Sequence, residues 1–378
     1  MPDARQNIVV VGGGGAGAPT ARQLSAKLDP SKYNLIVITA RPYFAHLVGS
    51  IRASVTSEGN FAEQILMPYD KLFIKGNGKI VVGQVTSVTD QGSEGGYVTL
   101  ASGEKVDYSV LILTPGSIWD GPVAIPNTKP ETLKWFGDWR TQFEKANDIL
   151  LVGGGSVGVE FAGEIKDLSP TKKVTIIHSQ KQLLNGAYPD KFRKDVERRL
   201  QLRGVHLILG DYAPEDAATN PEKTVTTRNG KELHPDLVIS CRGPRPNTSF
   251  IASSLGAETL NASGFVKIAP TFQLKSHPRI FAAGDITDLK EQKQVGKYRW
   301  HAPVVAANVL SVLEGKTPSK FYKGSTEMIV ITIGKNGGAA YFGFLWGLMF
   351  GDWISSLLKS KNLMIGIVRS ALGLEASD

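Results

Sequence analysis

The sequence predicts an α/β fold of two tandem Rossmann-like dinucleotide-binding domains, followed by a small C-terminal module. Two glycine fingerprints carry this prediction: Gly12-x-Gly14-x-x-Gly17 after the apolar run 8–11, and Gly153-x-Gly155-x-x-Gly158 after the apolar run 149–152. In each copy, glycine permits a tight strand-to-helix turn, close approach of a pyrophosphate and close helix packing. Two copies predict two nucleotide sites, and electrons that move between two cofactors.

An internal repeat supports the duplication. Residues 97–116 align without a gap to residues 224–243, and each copy predicts a hairpin followed by an apolar strand that ends in glycine, Gly116 or Gly243. We predict a first domain over residues 1–118 and a second over 119–257. The chain then returns to the first domain over 258–320, and the C-terminal module covers 321–378.

Composition excludes several classes of protein. At 378 residues the chain exceeds the usual size of a single core. Its one cysteine, Cys241, excludes an intramolecular disulfide and a C-x-x-C redox pair, so electrons must leave for an acceptor outside the protein's own sulfur chemistry. The net charge of +8 permits contact with nucleic acid or anionic membranes, but no concentrated basic stripe favours nucleic acid over a solvated face.

The N-terminus predicts neither a secretory signal nor a lipid anchor. Residues 1–7 lead directly into the first strand, and Pro2 stands where N-myristoylation requires glycine. We therefore expect a protein on the cytoplasmic side of a membrane, associated with it peripherally.

The segment His277 to Asp285 resembles a motif of the two-dinucleotide-binding-domain flavoproteins, the glutathione-reductase-like group. The resemblance implies FAD in the first site, with Asp285 bonded to the ribityl chain and a helix beginning near His301 and Ala302 that points at the flavin ring. It also matches Thr114 to Gly116 with a turn of that family.

The usual acidic residue at the end of the second strand is absent from both sites. In the first site, Thr39 and Arg41 follow that strand, where a threonine can bond the ribose and an arginine can neutralise a phosphate. In the second site the strand ends in His178, with Lys181 just beyond. Both are predicted phosphate contacts, so either NADH or NADPH fits as electron donor. Glu160, two residues after Gly158, either faces the nicotinamide or complements the helix dipole, and the resemblance favours the nicotinamide.

Four stretches resemble a narrower family, the ferroptosis suppressor and apoptosis-inducing-factor-like oxidoreductases: residues 51–55, 153–160, 174–180 and 358–363. This resemblance implies a flavin-dependent NAD(P)H:quinone oxidoreductase that reduces coenzyme Q-type quinones in a ping-pong cycle, as type II NADH dehydrogenases do. It also implies that Arg52, Val85 and Val157 bind cofactor.

The C-terminal module contains an uncharged, aromatic run over residues 337–351. Phe342, Trp346, Met349, Trp353 and Leu357 have helical spacing, which predicts an interfacial helix that contacts a membrane or a quinone. An aromatic stripe of this kind is also typical of a buried core. The glycines on a neighbouring face suit close packing, for which a second subunit is an alternative partner.

Few strictly catalytic residues are expected, because the cofactors supply the chemistry. The candidates are Glu160, His301 and Lys359, with Tyr298, Phe342, Trp346 and Met349 as quinone contacts. Two alternative functions stay open: a reductase of a soluble electron-transfer protein, and a nicotinamide-sensing, nucleic-acid-binding regulator.

Overall fold

The computed structural model describes residues 5–344 and 347–375. Its first stretch contains β1 (Gln6–Val11), α1 (Gly17–Lys27), β2 (Tyr33–Thr39), β3 (Phe44–Ala45), α2 (Ser50–Val55), α3 (Phe61–Gln64), β4 (Leu66–Met67), β5 (Gly78–Val82), β6 (Val85–Asp90), β7 (Gly96–Leu100), β8 (Lys105–Tyr108), β9 (Val110–Leu113) and β10 (Ser117–Ile118).

The middle stretch contains α4 (Lys129–Lys145), β11 (Asp148–Val152), α5 (Ser156–Leu168), β12 (Lys173–His178), α6 (Asp190–Leu202), β13 (Val205–Leu209), β14 (Val225–Thr226), β15 (Glu232–Leu233), β16 (Leu237–Ser240), β17 (Arg245–Pro246) and α7 (Ser249–Leu255). The last stretch contains β18 (Gln273–Leu274), β19 (His277–Ala282), α8 (Val295–Leu313), β20 (Met328–Thr332), β21 (Gly338–Phe342), β22 (Leu348–Phe350), α9 (Asp352–Ser355), a π-helical turn (Ser356–Ser360) and α10 (Ile365–Ala371).

Two sheets of the same topology form the body of the protein. The first has the order β18-β19-β9-β1-β2-β5, and the second has the order β13-β12-β11-β16. The parallel core β9-β1-β2-β5 corresponds strand by strand to β16-β11-β12-β13. Strand β19 joins the first sheet beside β9, so the chain returns to that sheet after leaving the second.

Both faces of the first sheet are buried, as expected for parallel strands covered by other elements on each side. Alternate residues of β1 belong to different cores: Ile8 and Val10 pack with α1, whereas Val9 and Val11 pack with the β6-β7-β8 sheet and α7. This layering places the ends of β1 and β2, and therefore the first fingerprint, at the edge of a rigid core.

The C-terminal module differs from the sequence prediction. The described residues 338–344 and 347–350 do not form an aromatic helix, because β20, β21 and β22 make an antiparallel sheet in which Phe342 lies opposite Leu348 and Tyr341 opposite Met349. Helix begins only at Asp352. Trp346 lies outside the described residues. None of the helices in the described ranges combines the length and the hydropathy needed to cross a bilayer.

The glycines predicted on a packing face are instead distributed over this hairpin. Gly343 lies against the carbonyl of Glu327, Gly347 has a positive φ of 83° in the turn, and Gly351 lies beside the Arg199 guanidinium. They therefore do not form the helix face for which a second subunit was an alternative partner.

Candidate functional site

The two fingerprint turns have the same geometry. In the first, a Cβ on Gly12 would collide with the Thr114 carbonyl, and one on Gly17 would collide with the Gly12 carbonyl. No atom of the described chain lies within 4 Å of a Cβ placed on Gly14. Two glycines are thus required by the protein's own packing, and the middle one leaves open space at the helix N-terminus, where a pyrophosphate binds.

The second turn repeats this arrangement. Side chains at Gly153 and Gly158 would collide with the carbonyls of Cys241 and Gly153, and Gly155 faces open space within the described chain. Val157 is half-buried against the second core. The counterparts Gly116 and Gly243 both have positive φ, 72° and 92°, and both leave room for close approach.

A cavity of about 480 Å³ lies beside the first turn. Thr39 and Val85 line it together with Gly12, as the sequence predicts for the adenosine end of FAD. Sequence reasoning missed the remaining polar lining and one aromatic wall, contributed by Gln84, Thr86, Asn247, Ser249, Ser253 and Phe250. Of the described residues that line the cavity, none is charged. This uncharged, hydrogen-bonding lining fits an adenosine, and FAD is therefore compatible with Thr39 in place of the usual acid.

Arg41 does not point its charge into this cavity. Its Nε donates to the Pro126 carbonyl at 2.9 Å and its Nη2 donates to the Ile125 carbonyl at 2.7 Å. Burial lowers the pKa of the Arg41 guanidinium. The predicted phosphate contact is replaced by an anchor for the chain before α4.

Asp285 lies at the turn after β19 and already has two hydroxyl partners. Ser117 Oγ donates to Oδ2 at 2.7 Å, and the Tyr298 hydroxyl donates to Oδ1. Tyr298 is buried, and this burial raises its pKa above the usual range. Tyr298 therefore belongs to the surroundings of the Asp285 carboxylate, which corrects its predicted contact with a quinone.

His301 is also enclosed rather than exposed to an acceptor. Its side chain is 1% exposed, and the rings of Phe272, Tyr298 and Tyr322 surround it. The Gly284 amide donates to Nδ1 at 3.3 Å, so Nε2 carries the proton and donates to a Glu291 oxygen at 2.9 Å. His301 thus braces the Gly284 turn, and its predicted catalytic role is not supported.

The partner of His301, Glu291, is held as an anion. Burial works to raise the pKa of the Glu291 carboxyl, but hydrogen bonds from His301, Tyr322 and Ser325 outweigh it and lower the pKa to about 2. This cluster fixes the segment between Asp285 and α8.

Helix α8 begins at Val295, six residues before the predicted start. Its first turn packs on the first fingerprint loop, because a Cβ on Gly15 would lie 2.5 Å from Val295. Ala302 lies two turns inside the helix and is buried. Ala302 is therefore a packing residue, and the helix N-terminus that faces the cofactor region is formed by residues 295–298.

His178 is not available as a phosphate contact. The Gly154 amide donates to its Nδ1 at 3.1 Å, and Nε2 then donates to the Leu184 carbonyl at 3.3 Å. Burial lowers the pKa of the imidazole, which keeps it neutral. Its ring supports the second fingerprint turn instead. Lys181, three residues later, is exposed at the end of β12 and stays a predicted phosphate contact.

Of the predicted quinone contacts in the hairpin, Phe342 and Met349 project from opposite faces of the sheet. Met349 packs with the second core, as does its cross-strand partner Tyr341. Phe342 contacts the rings of Phe344 and Phe350 on the other, partly exposed face. Met349 is therefore a core residue.

The structure brings two predicted residues together across 199 positions of sequence. Lys359 Nζ donates to Glu160 Oε1 at 2.6 Å and to the Val330 carbonyl at 3.0 Å. The Thr332 amide donates to the same Glu160 oxygen at 3.1 Å. Glu160 comes from the second nucleotide domain and Lys359 from the C-terminal module, so this ion pair joins the two.

Arg52, a predicted cofactor contact, lies in a different environment. Its guanidinium is 4% exposed and makes a two-point pair with Glu164, at 2.9 Å and 2.7 Å. It also donates to the carbonyls of Ser360 and Lys361. These bonds occupy the guanidinium, so we correct its role from cofactor contact to a link between three parts of the chain.

Comparison with known proteins agrees with this geometry. The sequence model of the family described as pyridine nucleotide-disulphide oxidoreductase matches residues 6–307. The chain belongs to this family. With Cys241 as its one cysteine, it is a member without a dithiol pair.

Individual relatives of the family extend the match. The FAD-dependent oxidoreductase FVFD30 of Flammulina velutipes is 46% identical over 319 residues, 84% of this chain and 98% of the relative. Ferroptosis suppressor protein 1 of Taeniopygia guttata is 31% identical over 372 residues, 96% of this chain and 95% of the relative. The predicted resemblance to ferroptosis suppressor proteins is confirmed.

The fold is confirmed by a solved structure of the sulfide:quinone oxidoreductase of Aquifex aeolicus. It superposes with a TM-score of 0.78 over 99% of this chain and 93% of that protein, at 18% identity. Together with the two fingerprint turns, the family and its relatives establish FAD and NAD(P)H as the cofactors. The chain is a flavin-dependent NAD(P)H oxidoreductase.

Proposed function

We propose that this chain reduces lipid-soluble quinones of the coenzyme Q type with NAD(P)H. One observation carries the proposal. The short helical segment that delivers Lys359 to Glu160 also presents large apolar side chains to solvent, with Trp353 75% exposed, Leu357 68% exposed and Leu358 42% exposed. A soluble electron-transfer protein would not require such a surface, whereas an isoprenoid acceptor would. The same fold serves a quinone acceptor in the Aquifex aeolicus enzyme.

The residues of the chain divide the work between two sites. The amides that follow Gly12 and Gly153 would hold the two pyrophosphates, and Asp285 would hold the ribityl chain. Bound FAD would supply the chemistry of hydride transfer from the nicotinamide and of electron transfer to an acceptor, so no protein nucleophile is required. Glu160, fixed by Lys359 and by a strand amide, is oriented before any ligand arrives, which is the condition for precise placement of a nicotinamide.

We further propose that the exposed apolar segment rests on a membrane surface from the cytoplasmic side. Trp353, Leu357 and Ile367 are each more than half exposed, and Lys361 is exposed on the same stretch. Aromatic and aliphatic side chains next to lysine suit insertion at the depth of the lipid headgroups. Docking there would place the acceptor end of the site where a long-tailed quinone is dissolved.

The direct test is anaerobic stopped-flow on flavin-loaded protein. NADH or NADPH is mixed first, and a short-chain coenzyme Q analogue is added after the flavin absorbance has bleached. Fast bleaching followed by fast recovery supports the proposal and identifies the preferred donor. Bleaching without recovery would refute a quinone acceptor and leave a protein acceptor or a nicotinamide-sensing role as the alternatives.

The membrane contact is tested by the double variant Trp353→Ser, Leu357→Ser. Two side chains of this size, about 70% exposed, contribute roughly 3 kcal/mol on insertion, so vesicle binding should weaken about a hundredfold. Turnover of a long-tailed quinone in vesicles should fall in parallel, while reduction of a soluble dye should not change. Leu202→Ser, at a leucine 72% exposed on α6, is the matched control. Equal vesicle binding by both variants would contradict the membrane surface.

A further inference from the structure

The buried guanidinium of Arg52 lies where three parts of the chain meet. On one side it holds Glu164 of α5, which is 6% exposed, through two parallel bonds. On the other side Nη2 donates to the Ser360 carbonyl at 2.7 Å and Nη1 donates to the Lys361 carbonyl at 3.0 Å. Arg52 itself belongs to α2 of the first domain. One side chain therefore connects the two nucleotide domains to the C-terminal module.

A second side chain of the first domain holds the same segment. His46 is buried, and its Nε2 donates to the Leu363 carbonyl at 2.7 Å. Three backbone carbonyls within four residues after Lys359 are thus fixed by Arg52 and His46. The backbone that carries the Lys359 side chain has little freedom on its C-terminal side.

Lys359 and Arg52 each form an ion pair with a glutamate of the same helix, α5. Glu160 and Glu164 are four residues apart on α5, so they lie on the same face one turn from each other. Glu160 pairs with Lys359, and Glu164 pairs with Arg52. Buried pairs of this kind contribute little net stability, and in some proteins they fix a specific arrangement of the chain.

We propose that Arg52, held by Glu164, is a positioning residue that places Lys359 against Glu160. It acts through the carbonyls of Ser360 and Lys361, to which its guanidinium donates. This inference rests on the proposed function only for the role of the Glu160–Lys359 pair in flavin reduction.

A double-mutant cycle tests whether Arg52 acts through Lys359. Flavin reduction by NAD(P)H is followed by stopped-flow in Arg52→Met, Lys359→Met and the double variant. Misplacement of an orienting group by about 1 Å can cost on the order of 100-fold, so Arg52→Met should slow reduction by about that factor. In the Lys359→Met background the same change should cost less than about 3-fold, because the group that Arg52 positions is gone. Independent, multiplicative losses would overturn the proposal.

A second readout does not depend on the activity of the loaded enzyme. Hydrogen exchange of the amides of residues 356–364 is measured in the flavin-free chain, in the wild type and in Arg52→Lys. Arg52→Lys is used beside Arg52→Met because lysine keeps the positive charge next to Glu164, so the variant should still fold. Lysine lacks the planar fork of arginine, so it cannot hold Glu164 and both carbonyls in the same geometry. Exchange in this segment should rise at least about tenfold, since bonds worth more than about 1.4 kcal/mol are lost.

The matched control is Lys335→Met, which removes a neighbouring but exposed ion pair to Glu58. It should change neither flavin reduction nor exchange. Unchanged exchange in Arg52→Lys would refute the inference even if quinone turnover is normal. Wild-type protein that NAD(P)H does not reduce would instead refute the proposed function, and the exchange result would stand by itself.

Discussion

Gly163 of α5 packs directly against the backbone that follows β20, where the second nucleotide domain meets the C-terminal sheet. A Cβ at this position on α5 would lie 2.5 Å from Ile333 Cα and 2.6 Å from the Gly334 nitrogen, and both are backbone atoms. Ordinary contacts need about 1 Å more, and backbone cannot rotate away as a side chain can. We expect Gly163→Ala to displace the end of β20 from α5 by that distance.

The displacement should lower the free energy of unfolding and slow flavin reduction. Overpacking costs about 1–3 kcal/mol, and alanine is more favourable than glycine in a helix interior by about 1 kcal/mol, so the net loss of stability is roughly 0–2 kcal/mol. The 3.1 Å bond from the Thr332 amide to Glu160 would stretch beyond hydrogen-bonding distance. We expect flavin reduction by NAD(P)H to slow about 10- to 100-fold.

The assay is stopped-flow reduction at equal flavin occupancy, together with urea unfolding. Gly137→Ala is the matched control, since Gly137 also lies inside a helix but its nearest neighbour would be 3.7 Å away, at the end of the Arg140 side chain. That variant should gain up to about 1 kcal/mol and reduce flavin at the normal rate. If Gly163→Ala behaves like Gly137→Ala, the tight approach does not hold the site together and the reasoning fails.

Three further outcomes are expected. Gly14→Val should fold normally but purify without flavin, because its side chain enters space that only a ligand fills; normal flavin content would contradict this. In His46→Gln the glutamine amide still donates to the Leu363 carbonyl but does not titrate. Burial lowers the pKa of His46 in the wild type to about 4, from an unfolded value near 6.5. The free energy of unfolding of the wild type should therefore fall by up to about 3 kcal/mol as the pH drops from 6.5 to 4. Urea unfolding at several pH values should show a flatter profile for the variant, and identical profiles would exclude His46. Lys181→Glu should raise KM for NADPH about tenfold and leave KM for NADH unchanged. Steady-state kinetics with both donors checks this, and equal changes in the two KM values, or no change in either, would contradict a contact between the lysine and the phosphate.

The sequence predicts those parts of the fold that depend on local pattern. Both fingerprints, the parallel strands before them and the repeated hairpins follow from glycine position and apolar runs. Glu160 and Asp285 follow from motif position. These features have their causes within a few residues of each other, so a single sequence reveals them.

Other features depend on contacts between distant residues. The run 337–351 satisfies helical spacing and strand alternation equally well, and the hairpin is decided by the positive φ of Gly347 and by packing of Tyr341 on α6. Arg52 and Glu164 are 112 positions apart. His178 bonds the Gly154 amide and the Leu184 carbonyl, and both partners are backbone groups that no side-chain pattern reveals. Arg41, Arg52 and His178 resembled ligand contacts in the sequence, but in the structure they form hydrogen bonds with backbone groups, which carry no sequence signal.

The Glu160–Lys359 pair also bonds to the outer backbone edge of β20. Strand β20 is the outer strand of its sheet, and an open strand edge can recruit a strand from another molecule. Glu160 accepts from the Thr332 amide, and Lys359 donates to the Val330 carbonyl, so side chains satisfy two of the backbone groups that a foreign strand would use. A foreign strand that pairs with β20 would have to displace both the carboxylate and the ammonium group from these two positions.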